Sequence, residues 1–180
     1  VEAPAPPPPA GFVVTSTRDD GSPGTLRWAV NEANLHHGED TITFDPAVFA
    51  TPQTITLARG PLVLFDPAQT TIKGPAAGLT VSGNDQSQVF VIGSRPEVSD
   101  HGARALIADL TIVAPPMWSV HPVLSTNVTV RGLTIHSRGG GGNNDGVDPE
   151  CCSDVHIQNV TFDTGDDCIA IKSGRDVDGR

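Results

Sequence analysis

Ala105-Leu106-Ile107-Ala108-Asp109-Leu110-Thr111-Ile112, Val128-Thr129-Val130-Arg131-Gly132-Leu133-Thr134-Ile135 and Val155-His156-Ile157-Gln158-Asn159-Val160-Thr161-Phe162 are three copies of one pattern. Aligned on Ile107, Val130 and Ile157, they recur at 130 − 107 = 23 and 157 − 130 = 27 residues. Within each copy two short runs meet at a polar corner: Ala108-Asp109, Arg131-Gly132 or Gln158-Asn159. Strand units recurring at such a period mark a parallel β-helix, in which each coil stacks on the last. The second interval is longer because it contains the glycine run from Gly139 to Gly142. Asn127 and Asp154 precede equivalent strands, where a side-chain ladder would serve structure alone.

Upstream the same period of two continues. Ile42 and Phe44, Ile55 and Leu57, Leu62 and Leu64, Ile72, Leu79 and Val81, and Phe90 and Ile92 each mark a short strand. Gly60-Pro61, Gly74-Pro75, Gly83-Asn84-Asp85 and Gly93 separate them as turns. Before these, Leu26, Ala29, Val30 and Ala33 follow the helical spacing, with Thr25 as N-cap and an end near Gly38. Such a helix would cover the open end of the strand stack, which otherwise exposes unpaired edges. Phe12-Val13-Val14 reads as a short strand. Residues 1–11, with Pro6 to Pro9, read as an extended tail or linker. The expected organisation is therefore one β-helix domain over 12–180, with an N-terminal cap over 12–40 and coils over 41–180.

Composition agrees. The chain has 180 residues, 19 Gly, 16 Pro and no Tyr, which favours a turn-rich all-β fold over a bundle. Its formal charge of −10 leaves no basic footprint for nucleic acid. The same charge repels an acidic polysaccharide unless basic residues gather in the cleft. No run reaches the ~18 apolar residues that a membrane-spanning helix needs. Cys151, Cys152 and Cys168 lack metal-ligand spacing, so no metal is expected. They read as buried free thiols, with a bridge from Cys168 to either of the others as the alternative.

The chemistry concentrates between Asn143 and Lys172. Asp145 lies 166 − 145 = 21 residues before Asp166, with Asp167 adjacent. One coil of about that length would set them on neighbouring strands, roughly 4.8 Å apart in the sheet direction. Carboxylates so close cannot all ionise freely, and unequal proton affinities are what acid/base hydrolysis requires. Adjacent residues on a straight strand face opposite sides, so Asp166 and Asp167 need a bulge or turn, which Gly165 would permit. Asp148 and Asp163 read as turn residues, His121 and His136 as structural or cleft-lining, and Lys172 as a strand-end surface charge, with neutralisation of the acids as its alternative role.

The stretch from about residue 116 to 180 resembles the polygalacturonase-like pectinases, glycoside hydrolase family 28. The resemblance rests on Trp118-Ser119-Val120-His121-Pro122-Val123-Leu124, Asn127 to Arg131, Asn144-Asp145-Gly146-Val147-Asp148-Pro149, and Asp163 to Gly174. The His-Pro element and the downstream Gly174-Arg175-Asp176 run resemble the bacterial branch. The resemblance implies inverting hydrolysis of α-linked galacturonic acid without a cofactor. Asp166 would be the general acid, and Asp145 and Asp167 would hold and activate water. It also implies a secreted or periplasmic protein acting on pectin. The family's Gly-His-Gly and Arg-x-Lys elements find no counterpart before Arg180, so a truncated β-helix with little turnover and an associating open end is expected. The stretch from Thr15 to Phe44 instead resembles the opening of bacterial right-handed β-helix surface proteins. Two rival readings follow: a non-enzymatic surface or adhesin β-helix, and a calcium-dependent polysaccharide lyase.

Overall fold

The computed structural model describes residues 10–93, 102–137 and 142–174. Most of the expected proline-rich tail, the Gly139 to Gly141 stretch and the residues from Arg175 onward lie outside them. The chain winds into a right-handed parallel β-helix of about five turns, with a single short helix among the described residues.

The first sheet stacks β1 (Ala10–Val14), β2 (Asp40–Phe44), β5 (Gln69–Lys73), β8 (Arg104–Ala108), β11 (Thr126–Arg131) and β13 (Ser153–Gln158). The second contains β3 (Gln53–Thr56), β6 (Leu79–Ser82), β9 (Thr111–Val113), β12 (Thr134–Ser137) and β14 (Thr161–Thr164). The third, β4 (Leu62–Leu64), β7 (Phe90–Ile92) and β10 (Val120–Pro122), continues into two further coils through single bridges at Val147, Glu150, Ile169 and Lys172. Every pairing is parallel. Each strand alternates, and its inward residues stack coil on coil. Ile42, Ile72, Ile107 and Val130 form one such fully buried row, with Ile157 in register at its end.

That row is the alignment expected from the three repeats. The polar corners are also explained. Asp109, Gly132 and Asn159 all stand in the left-handed region, at φ 58°, 63° and 50°. A single residue there turns the chain from the first sheet into the second, and Asp, Asn and Gly tolerate it best. Asn127 and Asp154 share φ 54° at matching positions, exposed, in keeping with a structural role.

The helix α1 (Leu26–Leu35) buries Leu26, Ala29, Val30 and Ala33 over the first coil. Thr25 caps it, its hydroxyl accepting from the Trp28 N–H at 3.2 Å. Its end differs from expectation. His36, not Gly38, closes the helix, because its imidazole pairs with the buried Asp40 at 2.8 Å and draws the chain into β2. Ala10 and Gly11, assigned above to the tail, pair as part of β1 with Asp40 and Thr41.

The cysteines correct another expectation. All three are free, Cys168 is exposed, and Cys151 and Cys152 are only half-buried. None joins the core, because Cys151 and Cys152 fall on the turn into β13 and Cys168 on the bend after β14. Cys151 donates to the Ser173 carbonyl at 2.8 Å.

Candidate active site

The loop from residue 142 to 150 carries Asp145, and it is stitched to the coils on either side. The Ser119 N–H and hydroxyl both donate to the Asp145 carbonyl, at 3.0 and 2.9 Å. Ser137 donates to the Asn144 carbonyl at 2.7 Å, and the buried Asn144 amide donates to the Pro115 carbonyl at 3.0 Å. Gly146 lies where a Cβ would come within 2.4 Å of the Cys168 carbonyl oxygen and 2.5 Å of the Phe162 ring. The glycine of the Asn-Asp-Gly element is therefore a demand of close coil packing.

Register sharpens the spacing of the acids. The bridges Val147↔Ile169 and Glu150↔Lys172 are each offset by 169 − 147 = 22 residues. The same offset sets Asp145 beside Asp167, one residue from the partner expected above. Hydrogen bonding agrees, since the Gly146 N–H donates to the Asp167 carbonyl at 2.9 Å. Asp166 instead accepts the Asn143 N–H on its carboxylate at 3.1 Å. Asp166 and Asp167 occupy the bend that leaves β14, not a straight strand, so the alternation rule does not separate them. Both are exposed, whereas Asp145 is buried.

What lies next to Asp145 was only partly legible in the sequence. Lys172, read as a surface charge with neutralisation of the acids as the alternative, takes the alternative: its ammonium lies 2.8 Å from Asp148 Oδ2 and 3.6 Å from Asp145 Oδ2. Asp148, read as a turn residue, is fully buried. Burial pushes its carboxyl up to about 7, Lys172 opposes that shift, and the neighbouring Asp145 adds to it. The ammonium of Lys172 is correspondingly held above its ordinary range by its contacts with Asp148 and Asp145, against the effect of burial. The Trp118 ring covers the same ammonium, its centroid 4.7 Å from Nζ.

Beyond Trp118 the network continues. His121 meets the Trp118 ring edge-on at 4.6 Å and pairs through Nε2 with Glu150 Oε2 at 3.0 Å, both side chains buried. His121 therefore has a partner that the sequence did not reveal. His136, on the second sheet, faces Asp163 at 3.4 Å, so Asp163 is a strand residue of β14 and not a turn. A groove of about 460 Å³ runs over the outer face of the third sheet beside Trp118 and His121, lined also by Pro61, Val63, Gln88 and Val91. A larger hollow of about 610 Å³ lies at the corner around Gly74, Asp109 and Gly132, and none of the three acids lines it. Among the described residues, no group of three or more His, Cys, Asp or Glu side chains is arranged to hold a metal ion.

The parallel β-helix thus gathers Asp145, Asp148 and Lys172 beside the groove edged by Trp118 and His121. Comparison with known proteins finds similarity over the C-terminal part of the chain. Residues 98–178 match the family described as Glycosyl hydrolases family 28. A probable polygalacturonase of Vitis vinifera is 40% identical over 76 residues, 42% of this chain and 16% of that protein. A second, from Arabidopsis thaliana, is 40% identical over 68 residues, 38% of this chain and 15% of that protein. This stretch of the chain is similar to the glycosyl hydrolases of family 28 and to two plant proteins named as probable polygalacturonases. The aligned stretch spans about a sixth of the length of the curated relatives it matches.

Proposed function

We propose that the protein hydrolyses α-1,4-linked galacturonan, the backbone of pectin, with inversion at the anomeric carbon. The observation that carries this reading is the convergence of Asp145 and Asp167 on neighbouring coils, with Asp166 adjacent, inside the stretch that matches the family. In this scheme Asp166 is the general acid. It stands on the exposed bend, where its carboxyl can reach a glycosidic oxygen, and the Asn143 N–H orients it. Asp145 and Asp167, side by side in register, hold the attacking water and take its proton. The groove over Val63, Val91 and His121 follows the coil axis, these residues being in register on successive coils, and in this scheme it seats the extended sugar chain.

The His121-Pro122 element supports the bacterial branch of the family. The proline-rich start fits an exported protein that meets its polymer outside the cytoplasm or in the periplasm. No helix among the described residues is long and apolar enough to cross a membrane.

The test is release of reducing ends from polygalacturonate by the native protein and by Asp166→Asn. Loss of the general acid is expected to cost roughly 10²–10⁴-fold in kcat. Product anomer analysis by NMR should show β-configured ends released first. Equal turnover by the two proteins would remove Asp166 from the mechanism.

A further inference from the structure

Three features of the third-sheet face belong together and the acid set does not account for them. Asp148 is fully buried, and neither of its carboxylate oxygens has a geometrically satisfied hydrogen bond apart from the ion-pair contact with Lys172. Lys172 reaches Asp148 at 2.8 Å and Asp145 at the longer 3.6 Å, so its tighter partner is the carboxylate farther from solvent. The Trp118 ring covers another side of the ammonium. A lysine serving only solubility would extend into water, and a buried unpaired carboxylate would be a liability. Here the two offset each other, and the surplus contact falls on Asp145.

We propose that Lys172, anchored by the buried Asp148 and covered by Trp118, is a positioning residue that holds the Asp145 carboxylate in its working orientation. The inference deepens the functional reading and rests on Asp145 being one of the water-handling acids. Physically, the ammonium is a fixed point charge supplied by the coil after the one that carries Asp145. Asp148 keeps it from swinging out to solvent, and the Trp118 face keeps competing anions away. Of Asp145's two oxygens, Oδ2 faces Lys172, while Oδ1 is buried without a hydrogen-bond partner. A misplacement of about 1 Å at such a carboxylate costs on the order of 10²-fold in rate. The device spans three successive coils of the third sheet, beside the His121–Glu150 pair.

The experiment combines kinetics with a direct view of Asp145, on the native protein and the variants Lys172→Met, Lys172→Arg and Asp148→Asn. Lys172→Met is expected to lower kcat on polygalacturonate by on the order of 10²-fold, with KM moving far less. Lys172→Arg, which keeps the charge, should recover part of that loss. Crystal structures of Lys172→Met and Asp148→Asn should show the Asp145 side chain in a new or split conformation. Asp145 unmoved in both variants overturns the inference, whatever the kinetics show. So does a kcat loss in Lys172→Met that Lys172→Arg leaves fully intact. If the native protein proves inert on polygalacturonate, the functional reading fails separately, and the Asp145 conformers still decide the positioning role.

Discussion

Gly146 shows how one residue ties the candidate site to coil packing. Its missing side chain lets the Asp145 loop settle against the Cys168 carbonyl and the Phe162 ring of the next coil. Gly146→Ala forces a methyl into that contact, and overpacking of this kind costs about 1–3 kcal/mol. A lowered Tm in calorimetry is the expected result, together with activity loss greater than the stability loss explains, because Asp145 moves with the loop. The Asn-x-Asp-Gly and Thr-Gly-Asp-Asp-Cys elements single out Asp145, Asp166 and Asp167 as candidates, and the fold sets Asp145 beside Asp167 on the next coil. Asp148 and Lys172 were not singled out in this way. They lie 172 − 148 = 24 positions apart, and nothing local marks a lysine at a strand end as turned inward. Their contact exists only because Lys172 stands in register with Glu150, a fact about neighbouring coils. The partner of Asp145 was misjudged by one residue for the same reason: coil length sets register, and only the folded chain reveals it.

Among the elements, the capping helix carries the tightest electrostatic join. Arg27 on α1 donates to both oxygens of Asp19, at 2.8 and 2.9 Å, and to the carbonyls of Pro61 and Gly60. Asp19 also accepts the Ala58 and Arg59 N–H groups. One carboxylate therefore pins the helix to the loop between β3 and β4, at the start of the third sheet. Removing it in Asp19→Ala leaves a partly buried guanidinium half-paired and two N–H groups without their acceptor, which costs about 1–3 kcal/mol. Chemical denaturation should show a lower midpoint, and hydrogen exchange should show the helix amides of α1 losing protection first. An unchanged midpoint would mean that the carbonyl contacts alone hold Arg27. The helix was visible in the sequence through its 3.6-residue apolar spacing and its Thr25 cap. Its C-terminal end was not, because the glycine rule was overridden by the His36–Asp40 pair, a contact between side chains four residues apart that straddles the helix boundary. The clamp was likewise silent, since Asp19, Arg27 and Ala58 come from three separate segments.

At the scale of the molecule, the buried Asp148 makes stability depend on pH in an unusual direction. Its carboxyl is raised from 3.8 to about 7, so the folded state holds a proton that the unfolded chain releases. That contribution is fully present below about pH 4 and is lost as pH rises toward 7. Across that window the native protein should lose Tm, and Asp148→Asn should flatten the decline. A Tm that falls equally in both proteins would assign the effect to the general acidic charge of −10. The β-helix itself was the most legible feature of the chain. Inward rows such as Ile107, Val130 and Ile157 repeat in the sequence because each coil must present the same apolar side to a shared core. The third sheet was the least legible in its last two coils, where it is reduced to single bridges with no strand-length run to read.

The left-handed corners at Asp109, Gly132 and Asn159 also bear on how such a chain can change over generations. They hold the first and second sheets in step, while the segments joining the second sheet to the third vary freely in length from coil to coil. An insertion or deletion in those segments leaves the inward rows unshifted and alters only what overhangs the groove. The lineage can therefore remodel its outer rim by small indels, trying new polymer preferences while the inherited scaffold stays in frame.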